Sequence, residues 1–147
     1  MEYYISFIAI LIAGIVAWTG YQQHRLAKEK LKLDLFEKRF SVYKGVQIFL
    51  SQIMQEGKLN LDSLWELQKA TQEAEFLFET EIPKYIDSIR SKALEMRTIQ
   101  SKYENMLAGD ERSRLVDKED TIFTELINER TALSQVFMPY LKFSKWK

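Results

Sequence analysis

The twenty-one residues from Tyr3 to Gln23 carry no charge, and no other stretch narrows the architecture as far. As a helix rising about 1.5 Å per residue they form a rod of roughly 31 Å, the thickness of a bilayer's hydrocarbon core. Ile5, Phe7, Ile8, Ile10, Leu11, Ile12, Ile15 and Val16 lie inside it. Together they favour insertion by roughly 2.5–5 kcal/mol, with no charge to oppose them. A cleaved leader would need a basic start and a small-residue cleavage site. Here only Glu2 precedes the apolar run, and Trp18-Thr19-Gly20-Tyr21 closes it. The stretch reads as one transmembrane helix, with residues 1–23 as an anchor and 24–147 as a second domain.

The flanks orient it. Glu2 lies before the span; Arg25, Lys28, Lys30 and Lys32 follow, opposed by Glu29 alone. An excess of basic residues marks the cytoplasmic side, so the amino terminus is expected outside and the larger domain inside. Tyr3 and Tyr4 at one end, and Trp18 and Tyr21 at the other, suit the two interfacial aromatic belts. The four basic residues are also expected to contact anionic headgroups, each contributing about 1 kcal/mol near the surface. Within the span Ser6, Ala13 and Gly20 recur every seven residues, and Ala9, Ala13 and Ala17 every four. Small faces let helix backbones approach closely in lipid, so Ser6, Ala9, Ala13, Ala17 and Gly20 are the expected face for homo-oligomerisation.

The rest of the chain is expected to be all-α, an antiparallel bundle of about four helices continuing from the span. Five Gly and two Pro in 147 residues leave few breaks, and no stretch shows sustained period-two alternation. The first helix runs from His24 to about Gln55, with Gly57 as its C-terminal cap. Its apolar residues form two adjacent stripes. One is Leu33, Phe36, Phe40, Tyr43, Leu50 and Met54; the other is Leu31, Leu35, Val42, Val46, Phe49 and Ile53. That width suits packing against more than one neighbour. A second helix starts at Asn60 or Ser63 and buries Leu64, Leu67, Ala70, Ala74, Leu77 and Phe78. A third runs from about Ile82 to Leu107 with Pro83 in its first turn. A fourth starts between Ser113 and Asp120, packs through Leu115, Ile122, Leu126, Leu133 and Phe137, and is ended by Pro139. Up-and-down order returns the chain after Pro139 towards the inner leaflet. There Lys142, Lys145 and Lys147, interleaved with Tyr140, Leu141, Phe143 and Trp146, either meet headgroups or pack back on the bundle.

The search for chemistry is largely negative. Lys plus Arg and Asp plus Glu both number 21, so no net charge steers the chain to nucleic acid. There is no Cys and one His, His24, at the membrane boundary. A Ser-His-Asp triad, a Cys-His pair and a histidine metal site are therefore excluded or incomplete. No Walker or Rossmann glycine loop is present. No enzyme activity, catalytic residue, metal or cofactor is expected.

Leu31-Lys32-Leu33-Asp34-Leu35-Phe36-Glu37-Lys38-Arg39-Phe40-Ser41-Val42-Tyr43 follows the span. Phe76-Leu77-Phe78 and then Phe137-Met138-Pro139-Tyr140-Leu141 come later. Together these resemble a group of small, uncharacterised bacterial membrane proteins. The resemblance covers nearly the whole chain. It implies a one-span topology in the bacterial inner membrane, and brings no activity and no catalytic residue. Asp34, Glu37, Lys38 and Arg39 are spaced for ion pairs along the helix surface. The function expected is a membrane-tethered scaffold or regulatory protein, with the bilayer, a second copy and an unidentified protein as partners. The alternative is an oligomeric effector whose spans form a pore or perturb the bilayer when the cytosolic domain senses a ligand.

Overall fold

Helices α1 (Glu2–Glu56), α2 (Leu61–Thr71), α3 (Ala74–Leu77), α4 (Glu81–Tyr103) and α5 (Asp110–Leu141) follow one another, with no strand among the described residues. The structure, a computed structural model, describes the backbone over residues 2–142 and the side chains over 11–142. The chain forms two compact units, residues 1–36 and 37–147. The hydropathy boundary at 23/24 lies earlier than this one. Hydropathy changes where charge begins, whereas the second unit starts where side chains begin to pack; Val42 is its first buried residue.

The first unit consists of the leading part of α1. Every described side chain from Leu11 to Asp34 is exposed, including Leu11, Ile12, Ile15, Val16, Trp18 and Tyr21. Among the described residues no helix is long and apolar enough to cross a membrane. Half of the expected span's strongly apolar side chains, those of Ile5, Phe7, Ile8 and Ile10, lie outside the described set, as do Ser6 and Ala9.

The second unit is a helical bundle. Cross-helix pairs fix its antiparallel order: on α1, Arg39 meets Tyr140 and Ser51 meets Arg130 of α5. Between α4 and α5, Lys92 meets Glu129 while Tyr103 meets Glu119. Its core takes Val42, Val46, Phe49, Leu50 and Ile53 from α1, and Leu67 from α2. From α4 it takes Ile82, Ile86, Ile89, Ala93, Met96 and Ile99, and from α5 Ile122, Leu126, Leu133 and Phe137. Each of these side chains larger than alanine contributes about 1.5–3 kcal/mol by leaving water. On α1 the core draws on the second stripe plus Leu50. Leu31, Leu33, Phe40 and Met54 stay exposed, so the apolar face is narrower than two full stripes.

Several helix ends follow local chemistry. Asn60 caps α2, its side-chain oxygen accepting from the Asp62 amide at 3.0 Å. Gly57 takes φ +64°, and its amide donates to the Ile53 carbonyl, closing α1. Pro83 sits in the first turn of α4. Other ends correct the sequence expectation. The second helix is interrupted at Gln72 and Glu73, where Thr71 turns its hydroxyl back to the Leu67 carbonyl and Glu73 leaves helical ψ. The third helix ends at Tyr103 and leaves Leu107 94 % exposed. The fourth starts at Asp110, so Asp110 and Glu111 occupy its positive N-terminal turn. Pro139 does not end it; the helix continues to Leu141. A proline three residues from the end removes a single backbone bond, and Tyr140 is held by contacts described below.

α1 and α2 cross closely at Gly45. A Cβ built there falls 2.4 Å from the Cβ of Ala70, and neither atom has a flexible stem to move. Gly45→Ala is expected to lower stability by about 1–3 kcal/mol through overpacking, outweighing the gain in helix propensity of about 1 kcal/mol. Combining it with Ala70→Gly should restore most of the loss in thermal or urea melts; a stable single variant would show that the crossing is loose.

Candidate functional site

Three sequence patches far apart in the chain meet around Arg39, the third residue of the second unit. Arg39 projects from α1 towards the end of α3 and the end of α5. Its Nε donates to the Leu77 carbonyl at 2.9 Å and its Nη1 to the Tyr140 carbonyl at 3.3 Å. Carbonyls at helix C-termini lack intrahelical donors and carry the negative end of the helix dipole, so a guanidinium suits them. The same group lies 5.6 Å from the centre of the Phe78 ring and 5.9 Å from that of Tyr140. Phe78 stands edge-on to both Phe137 and Tyr140, at 5.5 and 5.4 Å. Tyr43 meets Phe137 at 5.6 Å and stacks on Phe40 at 5.7 Å. Lys38 joins the same end by pairing with Glu73 at 2.8 Å.

This geometry changes the reading of two motif residues. Lys38 and Arg39 were expected to pair along the surface of their own helix; instead both reach across to α3 and its flanks. A guanidinium beside ring faces and free carbonyls is better satisfied there than beside an exposed carboxylate. The aromatic residues of Phe76-Leu77-Phe78 and of Phe137-Met138-Pro139-Tyr140-Leu141 were the available signal.

A second polar set runs along the α4–α5 seam. Lys92 lies 2.9 Å from Glu129 and 3.2 Å from Glu125, and its pKa is raised, chiefly by the Glu129 hydrogen bond. Tyr85 donates to the Glu129 backbone carbonyl; burial, then the Glu129 charge, pushes its phenol well up. Further along, Gln100 donates to the Gly57 carbonyl and to Glu119, and Tyr103 donates to the other Glu119 oxygen. That bond, with burial second, raises the Tyr103 phenol to about 12. Gln100, Glu119, Ser51 and Arg130 carry no signal in the apolar periodicity, and their roles emerge from helix pairing alone. Among the described residues no group of three or more His, Asp or Glu side chains is placed to hold a metal ion.

Ala13, Ala17 and Gly20 of the expected association face are exposed. A Cβ added at Gly14 or Gly20 would meet open space. Arg25, Lys28, Lys30 and Lys32 are exposed on α1, with Arg25 3.5 Å from Glu29. Lys142 is exposed just after α5, and Lys145 and Lys147 lie outside the described residues. The second unit carries shallow surface grooves. One of about 190 Å³ is bounded by Thr71, Glu75, Pro83, Ile86 and Arg90. Another, of about 200 Å³, lies between Lys38, Ser41, Lys69 and Leu77. No family model, no curated protein and no solved structure matches the chain.

Arg39→Ala leaves two carbonyls and the Phe78 and Tyr140 rings without their cation, and is expected to cost about 2–4 kcal/mol. Arg39→Lys keeps the charge but not the fork, and should recover only part of the loss in urea melts. Equal stability of all three proteins would remove the cluster's structural role.

Alkali provides an independent probe of the seam. A phenol whose folded pKa exceeds its unfolded value of about 10 contributes stability that is intact below pH 10 and lost as pH rises towards 12. Tyr103→Phe should therefore flatten the fall in melting temperature between pH 10 and 12. An unchanged slope would mean that the Tyr103–Glu119 bond is absent in solution.

Proposed function

We propose that the protein is a membrane-tethered scaffold or interaction protein. Residues 3–23 form its single span, and the helical bundle of the second unit is its binding module. One observation carries the reading. The uncharged run continues into a described helical segment whose apolar side chains, Leu11, Ile12, Ile15, Val16, Trp18 and Tyr21, are exposed on all sides of the helix. An apolar helix with nothing packed on it is unfavourable in water, and a bilayer is the medium that relieves the cost. The basic residues Arg25, Lys28, Lys30 and Lys32 support an orientation with the amino terminus outside and the bundle in the cytoplasm, in a bacterial inner membrane. The bundle's shallow grooves and its buried residues, almost all apolar, favour binding over catalysis.

The protein should stay in the membrane pellet through alkaline carbonate extraction. A reporter active only in the periplasm, fused after Lys147, should be silent, and a cytoplasmic one active. Pull-down from native membranes should return a reproducible partner. Release by carbonate overturns the tether, and a reversed reporter pattern overturns the orientation. Self-association with ion leakage and no other partner transfers the function to a pore-forming oligomer.

A further inference from the structure

We infer that residues 143–147, Phe143-Ser144-Lys145-Trp146-Lys147, dock on the bundle's own Arg39 end, at Glu37, Phe40 and Glu79, and not on lipid headgroups. Register sets their path. Between α5 and α1, Arg130 meets Ser51, Phe137 meets Tyr43 and Tyr140 meets Arg39. Each advance along α5 is matched by a similar retreat along α1. The described chain reaches Lys142, two residues beyond the last pairing, so the residues that follow come level with Glu37 and Phe40. Lys142 is extended, at φ −84° and ψ 118°, and five further residues reach up to about 16–18 Å from it. The rings at this end form a connected row: Tyr140 meets Phe78, Phe78 meets Phe137, Phe137 meets Tyr43, and Tyr43 stacks on Phe40. Phe40 is the outer member of the row and is 37 % exposed. Phe143 and Trp146 bring the rings that extend it.

Charge favours the bundle over the bilayer. Lys142, Lys145 and Lys147 are the charged side chains of residues 142–147, with no acidic residue among them. Residues 73–81 hold Glu73, Glu75, Glu79 and Glu81 and no basic residue, and Glu37 stands two residues before Arg39 on α1. Burial, then the charges of Glu79 and Glu81, push the Tyr140 phenol up, so both carboxylates lie close to the ring at which α5 ends. The cations of this end are engaged: Lys38 pairs with Glu73, Arg39 donates to two carbonyls, and Lys44 lies over the Phe40 ring at 5.8 Å. Glu37 and Glu79 take part in no ion pair among the described residues. An acidic surface attracts the lysines and holds anionic headgroups away. Covalent linkage adds to this, because the segment is held within reach and its docking is intramolecular. The contact lies wholly within residues 37–147, so it stands or falls apart from the tether.

The chain has no cysteine, so introduced thiols report unambiguously. Full-length protein carrying Glu37→Cys and Ser144→Cys is oxidised in native membranes, and its peptides are mapped by mass spectrometry. An intramolecular disulfide is expected at about fivefold or more the yield of an Ile48→Cys, Ser144→Cys control, Ile48 being exposed further along the same helix. Adding Glu79→Lys should cut the yield about threefold, and adding Lys145→Glu to that protein should restore it. In full-length protein with Trp18→Phe and Trp65→Phe, Trp146 should emit as a partly buried ring and resist quenching by brominated lipids. A disulfide yield no greater than the control, one unmoved by Glu79→Lys, or a failed rescue overturns the inference. So does strong quenching of Trp146 by brominated lipid, which assigns the segment to the headgroups, or emission typical of free water. Carbonate release of a protein that still forms the disulfide defeats the tether and leaves the docking standing.

Discussion

Where α1, α3 and α5 come together, a single guanidinium holds them. Arg39 donates to two carbonyls from elements far apart in the chain, and the Phe78 and Tyr140 rings lie beside it. Helix ends exposed to neither water nor a donor are costly, because their last carbonyls have no intrahelical partner. Arg39 meets that need at Leu77 and Tyr140 together. Leu77 is the last residue of the single-turn α3, and Tyr140 directly follows Pro139 in α5. The apolar core supplies most of the driving force, but an apolar core is tolerant of register. The arginine cluster, the Gly45–Ala70 crossing and the Glu119 pairings set which residue of one helix faces which of another.

α1 serves two different surroundings. From Leu11 to Asp34 its side chains are exposed, and in the second unit Val42, Val46, Phe49, Leu50 and Ile53 are fully covered. The change is gradual: no glycine or proline marks it, and Leu35 and Phe36 are half-buried. A helix satisfies its own backbone groups, so it passes from one environment to another without a loop. Only its side chains need change, from apolar all round, through basic, to a one-sided stripe.

Much of the fold is legible in the residues. Asn60, Gly57 and Pro83 act locally, through a side-chain cap, a positive φ and a missing amide hydrogen, and each stands where its chemistry predicts. Ile82, Ile86, Ile89, Ala93 and Met96 keep the helical period and are all buried, because a regular helix turns periodicity directly into a face. The errors have physical causes too. The interruption at Gln72 and Glu73 sits between good helix formers and precedes Phe78, which packs into the core. Just past Pro139, the Tyr140 carbonyl is met by Arg39, 101 residues away in sequence.

The sequence by itself determined the helical class, the uncharged stretch at residues 3–23, the basic run after it and the helices that follow. These are properties of neighbours along the chain, read from hydropathy, capping chemistry and spacing. Only the tertiary structure decided that Lys38 and Arg39 reach across the bundle rather than along their helix, that Gln100 and Tyr103 share Glu119, and that Phe76 stands in solvent while Phe78, two residues on, is buried. A side chain's partner is set by which helix faces lie against each other, and that depends on the packing of the whole core, which no local window of sequence contains.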